Sequence, residues 1–168
     1  MRSKFIYLML VMTVLLSACS NDDDPIEDQK VFLPVNYANI AGTWQLAEWN
    51  GEALEDGRYC YLVINRKAND EGERTLTIYM NMDSDKSRCI TSIYELEDDE
   101  EMDENPYTAY ISGMYDYSAG FWNNDYIISE VEADRMVWTV VGDESDRSTY
   151  VRCDDVPEDI KAGTRTVD

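Results

Sequence analysis

Residues 75–82 read Thr-Leu-Thr-Ile-Tyr-Met-Asn-Met, with Leu76, Ile78, Met80 and Met82 on one side and Thr75, Thr77, Tyr79 and Asn81 on the other. Successive side chains of an extended chain point to opposite faces, so this period of two marks a half-buried β-strand. Similar short segments lie on either side of it, each bounded by polar or turn residues: 43–49, 59–65, 88–96, 107–115, 125–131, 136–142 and 147–153. The first of these ends at Asn50-Gly51, the strongest short turn signal. Long amphipathic helical patterns are missing, and residues 35–41 and 157–163 are each predicted as a single helical turn. Eight evenly spaced strands with short polar connectors predict an all-β, antiparallel up-and-down meander with little helix. Closing the meander into an eight-stranded barrel removes its exposed edges. Its interior is then either filled by side chains or hollow enough for one small ligand.

Charge and composition narrow the function. The chain holds 14 Lys and Arg against 35 Asp and Glu, a net charge of −21, and no His. Phosphate backbones repel such a surface, and the Lys/Arg clusters needed to bind nucleic acid are absent. Anionic lipid headgroups repel it too. Twelve Tyr and four Trp argue for a packed domain rather than disorder. Without His there is no Ser-His-Asp or Cys-His arrangement, and Gly-rich phosphate loops are absent, so no enzyme is expected. With this many acids, a pair of carboxylates carries no information about glycoside hydrolysis. Glu48, Glu95 and Glu130, which fall in strand positions, are the acids whose burial would matter. No cofactor is implied, and the lack of His and of Cys-x-x-Cys argues against a zinc site. The acidic run Glu97 to Glu104 suits Ca²⁺ by chemistry alone. It lacks the EF-hand spacing and a turn glycine, and reads as a solvated connector.

The N-terminus has a separate logic. Arg2 and Lys4 precede an apolar run from Phe5 to Leu16, closed by Ser17, Ala18 and Cys19. The run is about a dozen residues, short of the roughly 20 that cross a bilayer, and its three-part pattern is that of a secretory signal removed from the mature chain. Leu16-Ser17-Ala18-Cys19 resembles the lipobox of bacterial lipoproteins. That resemblance implies cleavage after residue 18, with diacylglycerol on the Cys19 thiol and acylation (palmitate or a similar chain) at the same residue. Several acyl chains at one site suffice for stable anchoring. Losing Arg2 and Lys4 removes two basic and no acidic residues, so the charge moves from −21 to −23. Ser20 to Asp28 cannot build a core and serve as a solvated leash within a linker spanning residues 19–36. The leash resembles the acidic stretch that sends some lipoproteins to the exterior of the outer membrane, although a spacer without address would look the same.

Gly42-Thr43-Trp44, at the start of the first strand, resembles the Gly-x-Trp signature of lipocalins and related calycin barrels. In that family the tryptophan closes one barrel end and a basic residue of the last strand packs across its ring. Arg152 holds the corresponding place, and guanidinium over indole is a favourable cation–π contact. The resemblance covers residues 37–153 of a barrel domain drawn at 37–156, with 157–168 as a tail. No further lipocalin signature is present, nor a long helix before the last strand. This implies a lipocalin-like barrel rather than a transport lipocalin.

Three cysteines remain beyond Cys19. Outside the inner membrane, one disulfide and one buried thiol is the simplest assignment for Cys60, Cys89 and Cys153. All three pairings stay open; Cys89–Cys153 would tie the last strand to the barrel wall. Tyr115, Tyr117, Phe121 and Trp122 crowd one connector and are candidate ligand contacts at a barrel mouth; the same loop could instead fold back and cover that end. Tyr61, Tyr79, Tyr94, Tyr110 and Tyr126 alternate with aliphatics, so some must point inward to line a pocket or fill it; Tyr61, Tyr79 and Tyr110 are taken as candidate ligand contacts.

The expected protein is a surface-exposed outer-membrane lipoprotein whose lipocalin-like barrel binds a small apolar or glycan-type ligand. The alternative is a structural or interaction module with a filled barrel, touching a partner such as a neighbouring outer-membrane protein at one rim. A pocket of about 300 Å³ or more separates the two. Replacing Cys19 by Ala is expected to abolish labelling by a radioactive fatty acid and to release the protein from membranes. A wild-type chain found free of membranes would contradict the anchor.

Overall fold

The computed structural model describes residues 30–97, 105–115 and 120–165. The signal segment, Cys19, most of the linker, the acidic connector 98–104 and Tyr117 lie outside the described residues.

The described chain forms one antiparallel sheet: β1 (Gly42–Trp49), β2 (Glu52–Ala53), β3 (Cys60–Ile64), β4 (Arg74–Met80), β5 (Arg88–Glu97), β6 (Ala109–Tyr115), β7 (Tyr126–Ser129), β8 (Arg135–Val140) and β9 (Asp143–Cys153). Strands β3 to β9 each pair with the next, and β9 returns to pair with β1, so the sheet closes on itself. The wall has eight strands. β2 is an extra two-residue return at the Asn50-Gly51 turn, where Trp49 faces Glu52. Both turn residues have positive φ, 55° and 79°, as the tight primed hairpin turns require. A short helix, α1 (Glu158–Lys161), follows the last strand. Among the described residues no helix is long and apolar enough to cross a membrane.

All eight strands expected from the sequence are present with small shifts at their ends. Residues 36–40 form the expected single turn, the Asn36 carbonyl accepting from the Asn39 and Ile40 amides and Asn36 Oδ1 from the Ala38 and Asn39 amides. One boundary differs: the compact unit begins at Val31 rather than residue 37. Leu33, Val35 and Tyr37 pack against the core, and the Leu33 amide donates to the Val131 carbonyl at 2.7 Å. The whole core lies within Val31–Asp168, so this unit contains everything needed to fold by itself.

Alternation along each strand sends one set of side chains inward. At one end these are Ile40, Trp44, Ile64, Tyr94, Ile111, Ile128, Val131 and Met136, each at most 3% exposed. They make a solid floor. Trp44 anchors it, its indole donating to the Ile40 carbonyl at 2.8 Å. Directly opposite Trp44 in the β1–β9 register stands Arg152, whose guanidinium carbon lies 4.0 Å from the ring centroid. The same guanidinium donates to the carbonyls of Ala133, Ala41 and Asn39 at 2.8, 2.8 and 3.1 Å. It therefore staples two connecting segments across the floor. Gly42, with φ at 132°, leaves the room: a Cβ there would overlap the Arg152 Nη1 atom.

A second, smaller cluster lies on the outer face. Tyr59, Tyr61, Val156 and Ile160 are buried there, with Val63, Tyr79 and Cys153 packed against them. The tail is thus part of the domain, because α1 covers an aromatic patch of the wall.

Arg152→Ala removes a cation–π contact and three charge-assisted hydrogen bonds. The expected loss is about 2–3 kcal/mol, or roughly 10 °C in melting temperature for a domain of this size. Tryptophan emission should shift to the red as Trp44 becomes hydrated. An unchanged melting temperature would contradict the staple.

Candidate functional site

At the other end of the barrel the interior is hollow. A cavity of about 310 Å³ lies between the strands. One wall is the alternating face that the sequence displays most plainly, Leu76, Ile78, Met80 and Met82. The facing wall is aromatic. Trp122 meets Tyr126 edge-on at 6.3 Å between centroids, Tyr126 meets Trp138 at 5.6 Å, and Trp138 meets Tyr150 at 5.6 Å. These separations fall in the favourable range for tilted and edge-to-face pairs. Such a ladder is rigid, because each ring is held by the next.

The connector after β6 supplies the rim. The Tyr115 amide donates to the Gly120 carbonyl and the Trp122 amide to the Gly113 carbonyl, so the chain folds back along its own strand. The Trp122 indole then occupies the space above Gly113, where a Cβ would overlap it. Tyr115 and Trp122 both line the cavity, whereas Phe121 is 77% exposed. The loop therefore covers part of the barrel end and shapes its mouth at once. The Trp122 Nε1 atom is buried without a hydrogen-bond partner, a donor available to a guest.

Other expected contacts lie elsewhere. Tyr61 and Tyr79 oppose each other in the β3–β4 register and face outward into the cluster under α1. Tyr110 stands between buried Ala109 and Ile111 and so takes the outer face of β6. These three do not line the cavity. The sequence 59–63, Tyr-Cys-Tyr-Leu-Val, is apolar at every position, so its inward face could not be read from alternation. Tyr79 was legible, because it alternates with Ile78 and Met80. Trp138, Tyr150 and Trp49, which do line the cavity, were not singled out. Tyr150 shares its strand face with Arg152 two residues on, and that parity places it inside.

The cysteines also differ from expectation. Cys60, Cys89 and Cys153 are all free thiols, so the Cys89–Cys153 bridge is not formed. Cys60 points inward, while Cys89 and Cys153 sit on the outer face of β5 and β9. Along the sheet β5 and β9 are four strand spacings apart, about 4.8 Å each, and a disulfide needs Cα atoms within about 7 Å. Burial pushes the Cys60 thiol up to about 12, against an ordinary 9.0, with a hydrogen bond to Tyr150 opposing the shift. Burial likewise lifts Tyr150 well above its ordinary value and Tyr94 to about 12.

The acids in strand positions stay out of the interior. Glu48 and Glu95 are exposed. Glu130 is half-buried outside, bridged to Arg135 at 2.9 Å and to Arg147. Its backbone is left-handed, φ 49°, and hydrogen bonds from the two arginines outweigh desolvation of its carboxylate and lower its pKa. Among the described residues no three Cys, Asp or Glu side chains cluster closely enough to hold a metal ion.

The geometry defines a class: a closed eight-stranded antiparallel barrel, floored at one end and hollow at the other. No protein-family model matches the chain, and no curated protein matches it in sequence.

Two outcomes are expected of the thiols and their neighbours. At pH 8 a thiol reagent should modify exposed Cys89 at once and Cys60 only after unfolding; prompt reaction of Cys60 would place it outside. Cys60 and Tyr94 also keep their protons in the folded state at pH values where the unfolded chain releases them. Their contribution is intact below pH 9 and lost as pH rises from 9 toward 12, so the melting temperature should fall across that window. A flat profile there would contradict the burial.

Proposed function

We propose that this chain is a lipoprotein of the outer membrane, tethered through Cys19, whose lipocalin-like barrel binds a small, mainly apolar ligand at the cell exterior. The observation that carries the reading is the cavity. Its volume reaches the lower bound of known ligand pockets, about 300 Å³, and its lining is aromatic and aliphatic. A barrel serving only as a scaffold gains nothing from this space, since filling it would add packing energy. The Trp44–Arg152 floor supports the lipocalin-like assignment, because it joins the first and last strands at the closed end.

The direction of the chain supports the surface role. Residues 31–40 enter the barrel at the floored end, so the mouth opens away from the point where a tether arrives. With a leash of some 15 residues able to extend several tens of Å, the mouth would stand clear of a membrane that the acidic surface repels.

A second reading keeps one observation in its favour. Trp49, Met114, Phe121 and Val141 are exposed apolar residues at the strand ends and turns of the open end. A partner protein contacting that rim would cover them.

The test uses the Val31–Asp168 unit and N-phenyl-1-naphthylamine, an uncharged apolar dye. Saturable binding at one site is expected. Ile78→Trp, which fills the cavity from the β4 wall, should weaken that binding at least tenfold without lowering the melting temperature. Binding unaffected by the substitution would place the dye elsewhere and remove support for an interior ligand.

A further inference from the structure

We infer that the mouth selects its ligand by charge: it takes an apolar or aromatic body carrying a protonated amine and rejects a carboxylate. The inference rests on the interior-binding reading and adds the sign of the guest's polar group.

Among the described residues lining the cavity, Asp146 is the charged one, and none is Lys or Arg. Its carboxylate is held rather than free. The Trp49 indole donates to Asp146 Oδ1 at 2.8 Å, between the paired strands β1 and β9. That bond fixes the carboxylate at the rim, at the edge of the Trp49 ring. Burial is the first cause that raises the Tyr126 hydroxyl above its ordinary value, and the negative charge of Asp146 adds to the shift. The field of Asp146 therefore reaches the aromatic ladder inside.

An incoming ammonium meets three favourable terms together. It pairs with a partly desolvated carboxylate, where screening is weaker than in bulk water. It meets the aromatic lining of Trp122, Tyr126 and Trp138, and aromatic rings attract organic cations. It also enters the field of a chain carrying −21, which raises the local concentration of cations. A carboxylate meets each term with the opposite sign; the Trp122 Nε1 donor offers it one hydrogen bond, but no Lys or Arg among the described lining residues neutralises it. An uncharged guest of the same shape falls between them.

The experiment compares three naphthalenes that differ only at the end of a two-carbon arm: 2-(1-naphthyl)ethylamine, 2-(1-naphthyl)ethanol and 1-naphthylacetate. Affinities for the Val31–Asp168 unit are read by titration calorimetry at pH 7. The amine should bind about tenfold more tightly than the alcohol, and the carboxylate at least tenfold more weakly than the alcohol. Asp146→Asn should bring amine and alcohol within about threefold of each other. Glu95→Gln, which removes an exposed charge on the outer wall, should leave the ranking intact. Equal affinities, or a carboxylate preference, would overturn the inference while leaving interior binding in place. An amine preference that survives Asp146→Asn, or that Glu95→Gln reduces equally, would also overturn it, because general charge would then be the cause. If Asp146→Asn unfolds the rim, the wild-type ranking of the three compounds decides. If none of the three binds, the interior-binding reading itself fails, and this inference falls with it.

Discussion

Closure of the sheet by β1 against β9 is the constraint on which the other features depend. Without that pairing the sheet would present two bare edges, and its inward face would lie open to water. The register places Trp44 directly opposite Arg152. The first and last strands are thus joined by backbone bonds and also by a buried ring under a guanidinium. Arg152 reaches three carbonyls on two separate segments, which converts a seam between strands into a floor. The N-terminal residues Leu33, Val35 and Ile40 complete that floor and are held there partly by the same side chain.

A sealed floor allows the other end to remain unfilled. Core packing toward Trp44 is dense and supplies the hydrophobic stabilisation. The upper interior is bounded by flexible methionines on one side and a train of tilted and edge-to-face rings on the other. Met80 and Met82 adapt readily to a guest of irregular shape, while the rings from Trp122 to Tyr150 hold their geometry. One wall yields and one stays rigid, an arrangement suited to binding small bodies of related shape. The acidic exterior adds solubility and repulsion from anionic surfaces, and Asp146 brings that charge to the mouth.

Much of the barrel was legible in the sequence because strand alternation is a local property. Residues 75–82 state it so clearly that their four inward side chains all line the cavity. Gly42, Trp44 and Arg152 were legible through their resemblance to the Gly-x-Trp signature and its basic partner in lipocalins. The site was only partly legible. Tyr115 and Trp122 stood out as aromatics in a connector. Tyr61 was misplaced because its strand is apolar on both faces, the outer one covered by α1, and a four-residue helix is too short to announce itself. The disulfide expectation failed for a long-range reason: the distance between Cys89 and Cys153 is set by the order of strands around the barrel, which spacing along the chain does not encode.

The central claim is that a floored barrel holds a mainly apolar cavity at its open end. Methyl-detected NMR under xenon pressure tests this most directly, because xenon enters empty apolar cavities without needing any particular chemistry. The methyl groups of Leu76, Ile78, Met80 and Met82 should shift saturably, whereas those of Ile128, Val131 and Met136 in the floor should stay fixed. Saturable shifts in the floor, or none anywhere in the barrel, would contradict the account.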